Sequence, residues 1–384
     1  MTTAALILFW ILAGLAAVQA LVTCGFLGVL HRRPRAGRPP GPCPKTAVIL
    51  CLRGSDPSLP ACLEGILNQD YPHYDIRIVV DHREDPAWKT VEQVVARSQA
   101  THVRVHPLRR RRPTCSLKCS SLLQAVAELD ESYEVVALLD ADTIPHRTWL
   151  RELIAPLGEE GVAAATGNRW YLPGSMAWGS LVRWLWNAAA VVQMYWYHIP
   201  WGGTLALRMS AVREGNLPTR WAHAFGEDTM LYSVFRPLGY RIVFVPSLLM
   251  VNREECHLGN FLGWVRRQLV TTRLNHPAWA LVAGHGLAVS LSQGIAAAGL
   301  LAAAVLGDYT AARWLLAGFG VYWSVMAGLL LALETGARRV LAGRGEPTTW
   351  LKGSGLWRIP VAILLTQAVY LIALLGMWRQ KHVD

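Results

Sequence analysis

Asp140 and Asp142 stand two residues apart, directly after an unbroken apolar run, Val135–Leu139. A continuous apolar segment with β-branched members, stopped by charge and then by Pro145, predicts a buried central strand. Open α/β sheets bind ligands outside the carboxyl ends of their strands, so carboxylates at such an end are placed for chemistry. Hard divalent cations take oxygen ligands, and Asp140 with Asp142 can offer them to one Mg²⁺ or Mn²⁺. A solvated turn is the competing reading, because Asp is common in turns. Two further predicted strands end in the same way: Thr46–Leu52 runs into Arg53 and Asp56, and Tyr74–Val80 runs into Asp81. Three polar strand ends converging on one edge favour a ligand site over an isolated turn. Gly203, in the turn Trp201-Gly202-Gly203-Thr204, lets backbone come close to a ligand.

Such chemistry needs a frame that brings distant segments together. Leu59, Leu63 and Ile66 at helical spacing predict a helix over Leu59–Leu67, and Pro86, favoured at a first helical position, opens another near residues 88–96. A short strand at 102–105 and a helix over 116–129, with Lys118 near its start, lead into the strand Val135–Leu139. A helix over 147–157, strands over 161–166 and 239–246 and a helix over 229–235 complete a body spanning residues 45–275. This alternation predicts the α/β class, a mostly parallel, Rossmann-like sheet with helices on both faces. Segment 175–197 is dense in Trp and Tyr, which suits either a membrane–water boundary or an aromatic core. Taken alone, Lys118 reads as a solvated helix charge and Asp228 as a cap on the helix that follows it.

The 384 residues are 53% hydrophobic and only 16% charged, with 17 Trp; mean hydropathy is +0.26. That is too apolar for an ordinary soluble protein and too interrupted for a bundle lying wholly in lipid. Residues 4–30, 279–306, 314–333 and 359–378 are each long and apolar enough to cross a bilayer. The first is too long for a signal peptide and lacks a convincing cleavage site. Arg32, Arg33 and Arg35 follow it, and Arg338, Arg339, Arg344, Lys352 and Arg358 occupy the loop before the last span. Positive charge at both places puts the body on the cytoplasmic side of an integral membrane protein, with Arg379 and Lys381 a mild exception. The net charge of +11 suits anionic lipid or a phosphate-bearing substrate. No motif that reads nucleic acid accompanies it, so nucleic acid is not an expected partner. The four-arginine run at 109–112 reads as a solvated face or a contact for lipid headgroups. Seven cysteines, without a CxxC pair, read as reduced thiols rather than a zinc site.

In this order the motifs resemble the membrane-anchored family 2 glycosyltransferases of GT-A fold, especially the ceramide glucosyltransferase-like branch. The match covers residues 46–273, with similar spans on either side. The resemblance implies that Asp81, in VVDHREDPAW, contacts the nucleotide, with Arg53 and Asp56 at the neighbouring strand end. It implies that Asp140 and Asp142 hold the metal and diphosphate, Asp142 as the direct ligand, and that Lys118, in CSLKCSSL, partners the nucleotide or the Asp pair. In FGEDTML it makes Asp228 the catalytic base beside Glu227. That family closes its site with Gln/Arg-x-x-Arg-Trp, whereas WVRRQLVTTR has no Arg-Trp pair. Arg266, Arg267, Gln268 and Arg273 are left as candidates for the diphosphate and acceptor end, together with Gly203. The implied activity is inverting transfer of a sugar from a nucleotide sugar, a UDP-sugar by the resemblance, to a membrane lipid at the cytoplasmic leaflet. A processive polysaccharide synthase and a non-catalytic membrane protein retaining the fold are the alternatives. Only four spans and the altered terminal motif count against the first, the intact acidic motifs against the second.

Overall fold

The structure, a computed structural model, describes residues 1–31, 43–348 and 354–378. Arg32, Arg33, Arg35, Lys352, Arg379 and Lys381, used above for orientation, lie outside the described residues. The chain opens with α1 (Thr2–Leu30) and then runs β1 (Thr46–Leu52), α2 (Leu59–Leu67), β2 (Tyr74–Val80), α3 (Pro86–Ser98), β3 (Val103–Pro107), α4 (Leu117–Ala127) and β4 (Val135–Leu139). Next come α5 (Trp149–Ile154), β5 (Val162–Tyr171), α6 (Trp178–Tyr197), β6 (Thr204–Arg208), α7 (Met209–Glu214), α8 (Leu217–Trp221) and α9 (Leu231–Phe235). The last elements are β7 (Arg241–Asn252), α10 (Leu258–Asn275), α11 (Trp279–Val305), α12 (Tyr309–Ala342) and α13 (Arg358–Trp378).

The strands form one seven-stranded sheet in the order β3-β2-β1-β4-β6-β5-β7. β1 pairs in parallel with β2 and β4, and β2 with β3; β6 runs antiparallel between β4 and β5, while β5 and β7 are parallel. Alternate residues of β1 feed two cores, as a strand covered on both faces must. Val48, Leu50 and Leu52 pack with Leu63, Ile66 and Trp149, whereas Ile49 packs with Leu122, Trp221 and Phe235. A fully buried Leu such as Leu50 contributes about 1.5–3 kcal/mol relative to exposure.

The mostly parallel sheet agrees with the sequence pattern, but three elements differ. β6 had no counterpart in the pattern, and β5 and β7 are longer than 161–166 and 239–246. Past an irregularity between Thr166 and Asn168 the two strands continue beyond the sheet as a ribbon, from Asn168 opposite Leu249 to Tyr171 opposite Asn252. The ribbon is buried because Trp170 and Leu249 pack with Phe26 of α1, Val191 of α6 and Leu333 of α12.

Helices α1, α11, α12 and α13 are long and apolar enough to span a membrane. α12, with 34 residues, is about 51 Å long and outreaches a hydrocarbon layer of about 30 Å. Its last turns run into the body. There Glu334 accepts hydrogen bonds from the indole nitrogens of Trp170, at 3.0 Å, and Trp184, and pairs with Arg338 at 2.7 Å. Arg344 donates to the carbonyls of Ser247 and Leu249 on β7, at 2.6 and 2.7 Å. Arg358 donates to the Met176 carbonyl and lies over the rings of Trp178 and Trp357. The aromatic segment ahead of β6 is the helix α6, whose Trp184 is buried and whose Trp186 meets Phe261 and Trp264 of α10 edge-on.

Candidate active site

β1 and β2 end together, Leu52 level with Val80, and β4 ends two residues earlier on the same side, Ile49 being level with Leu138. Arg53, Asp81 and Asp140 therefore leave the sheet along one edge. Arg53 Nε lies 3.7 Å from Asp81 Oδ2, a pair open to solvent and weakly held. The loop after β1 is fixed by Asp85, the N-cap of α3, which accepts from the amides of Gly54 at 2.9 Å and Ala87 at 2.8 Å. Gly54 sits at φ +75°, a region that favours glycine. Asp81, His82 and Asp85 place ligand atoms within 4.8 Å of one another, but these amides already occupy the Asp85 carboxylate.

Lys118 is the hub. Ser116 caps α4 by accepting from the Cys119 amide, which sets Lys118 on the first turn facing the strand ends. Its Nζ lies 2.6 Å from Asp140 Oδ1 and 2.6 Å from Glu227 Oε1. Burial disfavours the ammonium, yet the two carboxylates outweigh it and hold Lys118 well above its ordinary pKa. Burial likewise opposes ionisation of Asp140, but Lys118 and Arg169 keep its pKa low. Glu227, only 3% exposed, is raised by burial despite Lys118, with Asp228 and Asp140 adding to the rise. Lys118, its side chain 33% exposed, is thus a bridge between two carboxylates and not the solvated charge that it resembles when read alone.

Asp142 has a different environment. Asn252, the last residue of β7, donates to its Oδ2 at 2.9 Å. Burial and Asp140 push its pKa up to about 6 against the pull of Arg169, and Asp56 and Glu254 add to the rise. Its negative charge has no ammonium bridge of the kind that Asp140 has, and its oxygens are hard donors. Asp142 with Asp140 beside it therefore fits Mg²⁺ or Mn²⁺.

Asp228 faces the glycine turn. Its Oδ2 accepts from the Gly202 amide at 2.8 Å, and its Oδ1 from the Thr229 amide at 2.6 Å and hydroxyl at 2.9 Å. The N-cap of α9 is Met230, so the Asp228 side chain serves this turn and not the start of the helix. A β-carbon on Gly203 would stand 2.6 Å from Asp140 Oδ2, and one on Gly202 would overlap the Glu227 carboxylate. The glycines let the backbone close on the protein's own carboxylates. Gly203, expected at the acceptor end, lies against Asp140 and Trp201.

Two residues of this edge escaped the sequence reading, Asn252 and Arg169. Arg169, on the β5 ribbon, lies between two indoles, its guanidinium carbon 5.0 Å from the Trp201 ring centre and 5.2 Å from that of Trp264. Burial works against its charge, but Tyr171, Asp140 and Asp142 raise its pKa. A lone Arg in a strand carries no motif; an Arg-Trp pair ending an apolar run was the available signal. Of the terminal-motif candidates, Arg267 comes to this side, exposed and 6.0 Å from the Phe225 ring, where partial desolvation and Arg169 depress its pKa. Gln268 is half-buried on α10, its carbonyl engaged by Thr272. Arg266 and Arg273 do not join the group. Seven residues apart on α10, they face α13: Arg266 packs over Gly376, and Arg273 donates to the Met377 carbonyl at 3.0 Å.

A mostly parallel sheet with its acidic groups at the strand ends, flanked by apolar helices, defines a GT-A-like protein. The profile of Glycosyl transferase family 21 matches residues 8–383. The chain belongs to that family, with which the ceramide glucosyltransferase-like resemblance of its motifs is consistent. Among solved structures, the mannosyltransferase PcManGT from Pyrobaculum calidifontis is 17% identical with a TM-score of 0.53, covering 98% of this chain and 100% of its own. Glucosyl-3-phosphoglycerate synthase from Mycobacterium tuberculosis is also 17% identical, with a TM-score of 0.42 over 65% of this chain and 83% of its own. No curated protein sequence matches.

Proposed function

We propose that this chain transfers a sugar from a nucleotide sugar to the hydroxyl of a membrane lipid at the cytoplasmic leaflet, with inversion at the anomeric carbon. The observation that carries the reading is Lys118, bridging Asp140 and Glu227 with Asp142 and Asp228 close by, so that acidic motifs far apart in sequence meet at one edge. PcManGT was solved with GDP-Man and Mn²⁺, which supports a nucleotide-sugar donor and a divalent cation here. Asp142, with Asp140, would hold that cation. When bound, a divalent cation stabilises the departing diphosphate oxygen as a Lewis acid.

The remaining work falls to the chain's own residues. Asp81, with Arg53 and Asp56, borders the nucleotide. Arg169, stacked between Trp201 and Trp264, and Arg267 present positive charge to the diphosphate and take over from the missing Arg-Trp pair. Asp228 accepts the proton of the acceptor hydroxyl as it attacks in line with the leaving group, a contribution of about 10²–10⁴-fold. Glu227 acts through Lys118 and not on substrate. Arg266 and Arg273 serve the α10–α13 contact. The membrane setting supports a lipid acceptor, because α6 and α10 pack on α13.

The test is to incubate membranes with labelled UDP- and GDP-sugars, extract the lipids and determine the anomeric configuration. One sugar per lipid with inverted configuration is expected, lost in Asp142→Asn and Asp228→Asn at normal expression. Labelled polymer, or retention of configuration, refutes the assignment.

A further inference from the structure

Arg112, the last of the four-arginine run, borders an open cavity of about 630 Å³ on the outer side of α4, between α4, α7 and α8. Cavities of this size take small organic ligands. The floor is apolar. Leu123, Met209 and Val212 belong to the core on this face of the sheet, and Val126 and Leu129 pack against it.

The polar side chains of the lining are Arg112, Arg213 and Thr219. The Thr219 hydroxyl is already spent on Asn216 Oδ1, at 2.8 Å. Arg112 and Arg213 are exposed, and among the described residues neither guanidinium has an ion pair or a hydrogen bond. Their neighbours differ: Arg109 pairs with Glu128 at 3.0 Å, and Arg220 donates to the Gly215 carbonyl at 3.0 Å. Among the described residues no carboxylate lines the cavity, and Glu214, next to Arg213, is engaged by the Tyr240 hydroxyl at 2.8 Å. Two uncompensated cations beside an apolar floor complement a negative head group on an aliphatic body. Phosphate oxygens match the paired donors of a guanidinium. At roughly 30 Å³ per group of water size the space holds about 20 such groups, one chain with its head group and not two long chains.

The cavity also backs onto the carboxylate cluster. Thr114, two residues past Arg112, donates from Oγ1 to the Ala222 carbonyl at 2.6 Å, and the Ser116 amide donates to the Ala224 carbonyl at 3.0 Å. These bonds tie the segment that leads to Lys118 to the segment that leads to Glu227. Arg112 and Ala222, at the outer end of the tie, both line the cavity.

We infer that this cavity binds a single-chain amphiphilic anion, an alkyl phosphate in chemical class, with its head group held by Arg112 and Arg213 and its chain laid on Val126, Met209 and Val212, and that such a ligand clamps α4 to α8. The site lies apart from the donor and acceptor positions proposed above, and the inference does not rest on them.

The probe is decyl phosphate carrying a mid-chain diazirine, photolysed with the full chain in phosphatidylcholine nanodiscs. Peptide mapping should place label on residues 117–129 and 209–222, and unlabelled decyl phosphate should remove it, with decanol and inorganic phosphate each weaker competitors by about tenfold or more. Arg112→Gln and Arg213→Gln change exposed side chains without partners, so Tm should hold while each weakens labelling affinity by about tenfold. Ala127→Trp, filling the cavity from an exposed position, should abolish the label. Hydrogen exchange of the Ser116 amide and of residues 222–225 should slow when decyl phosphate is bound. Label confined to α1 and α11–α13, decanol or inorganic phosphate competing as well as decyl phosphate, or wild-type labelling in the double arginine variant overturns the site. Unchanged exchange at saturating decyl phosphate overturns the clamp.

Discussion

Replacing Lys118 by Met keeps the length of the side chain and removes its charge. It leaves Asp140 and Glu227, each 2.6 Å from the lost ammonium, facing one another. The Glu227 side chain is 4% exposed and that of Asp140 28%, so most of the cost falls on Glu227 and water screens part of the rest. Removing one partner of a buried pair costs about 3–5 kcal/mol, and the partial exposure of Lys118 and Asp140, 33% and 28%, puts the expectation at the lower end. In a body of this size about 3 kcal/mol corresponds to a fall in Tm of about 6–12 °C. The loss must depend on pH. Without Lys118, the influences left on Glu227 are burial, Asp228 and Asp140, all of which raise its pKa above the ordinary 4.5. A carboxyl whose folded-state pKa is raised destabilises the fold at high pH and is relieved by protonation as pH falls. The gap in Tm between wild type and Lys118→Met should therefore be wide at pH 7.5 and narrow toward pH 5. Adding Glu227→Gln should recover part of it at pH 7.5. Thermal unfolding of purified protein in nanodiscs, with chelator present, measures both. A Lys118→Met protein as stable as wild type at pH 7.5, or a gap that widens on acidification, refutes the carboxylate-bridge account.

Asp142 is pushed up to about 6, so cation binding there competes with a proton; Mn²⁺ affinity should be about tenfold weaker at pH 5 than at pH 7.5 by titration calorimetry. The same raised pKa makes the metal-free fold lose stability as pH climbs through 6, and added Mn²⁺ should raise Tm more at pH 7.5 than at pH 5. Arg169→Lys keeps the charge but loses the planar face lying on Trp201 and Trp264; donor KM should rise about tenfold in steady-state kinetics. Gly202→Ala sets a methyl group against the Glu227 carboxylate and should lower stability by about 1–3 kcal/mol in denaturant unfolding.

The parallel half of the sheet was legible because its strands are short and β1, β2 and β4 each finish in an apolar run that charge closes. β1, β2 and β4 carry the bounds that the sequence pattern suggests. β6 was not legible: Thr204–Arg208 is five residues long and follows two glycines, so nothing local separates it from a turn. The β5 and β7 ribbon was hidden for another reason. Asn168, Arg169 and Pro246 interrupt the apolar run, and what keeps the strands extended is the packing of α1, α6 and α12 on Trp170 and Leu249. The acidic motifs could be read because their residue types and order carry them. Arg169, Asn252 and the engagement of Lys118 depend on pairings between segments up to 110 positions apart, which a single sequence does not display. On α10 the sequence offered four polar candidates, and only helix phase decides that Arg266 and Arg273 turn toward α13.

The tie between α12 and the ribbon that carries Arg169 has a consequence for how the protein can be handled. Trp170, adjacent to Arg169, and Trp184 both rest their indole N–H groups on one carboxylate that comes from the far end of the polypeptide. A version trimmed at residue 275 to make it water-soluble would strip those two rings of their acceptor and uncover the back of the ribbon. The guanidinium would then lack a rigid mount even if the sheet survived. A helix of membrane-spanning length and the acidic strand edge share one wall, so under the proposed function detergents that loosen α12 should weaken donor binding before they unfold the sheet.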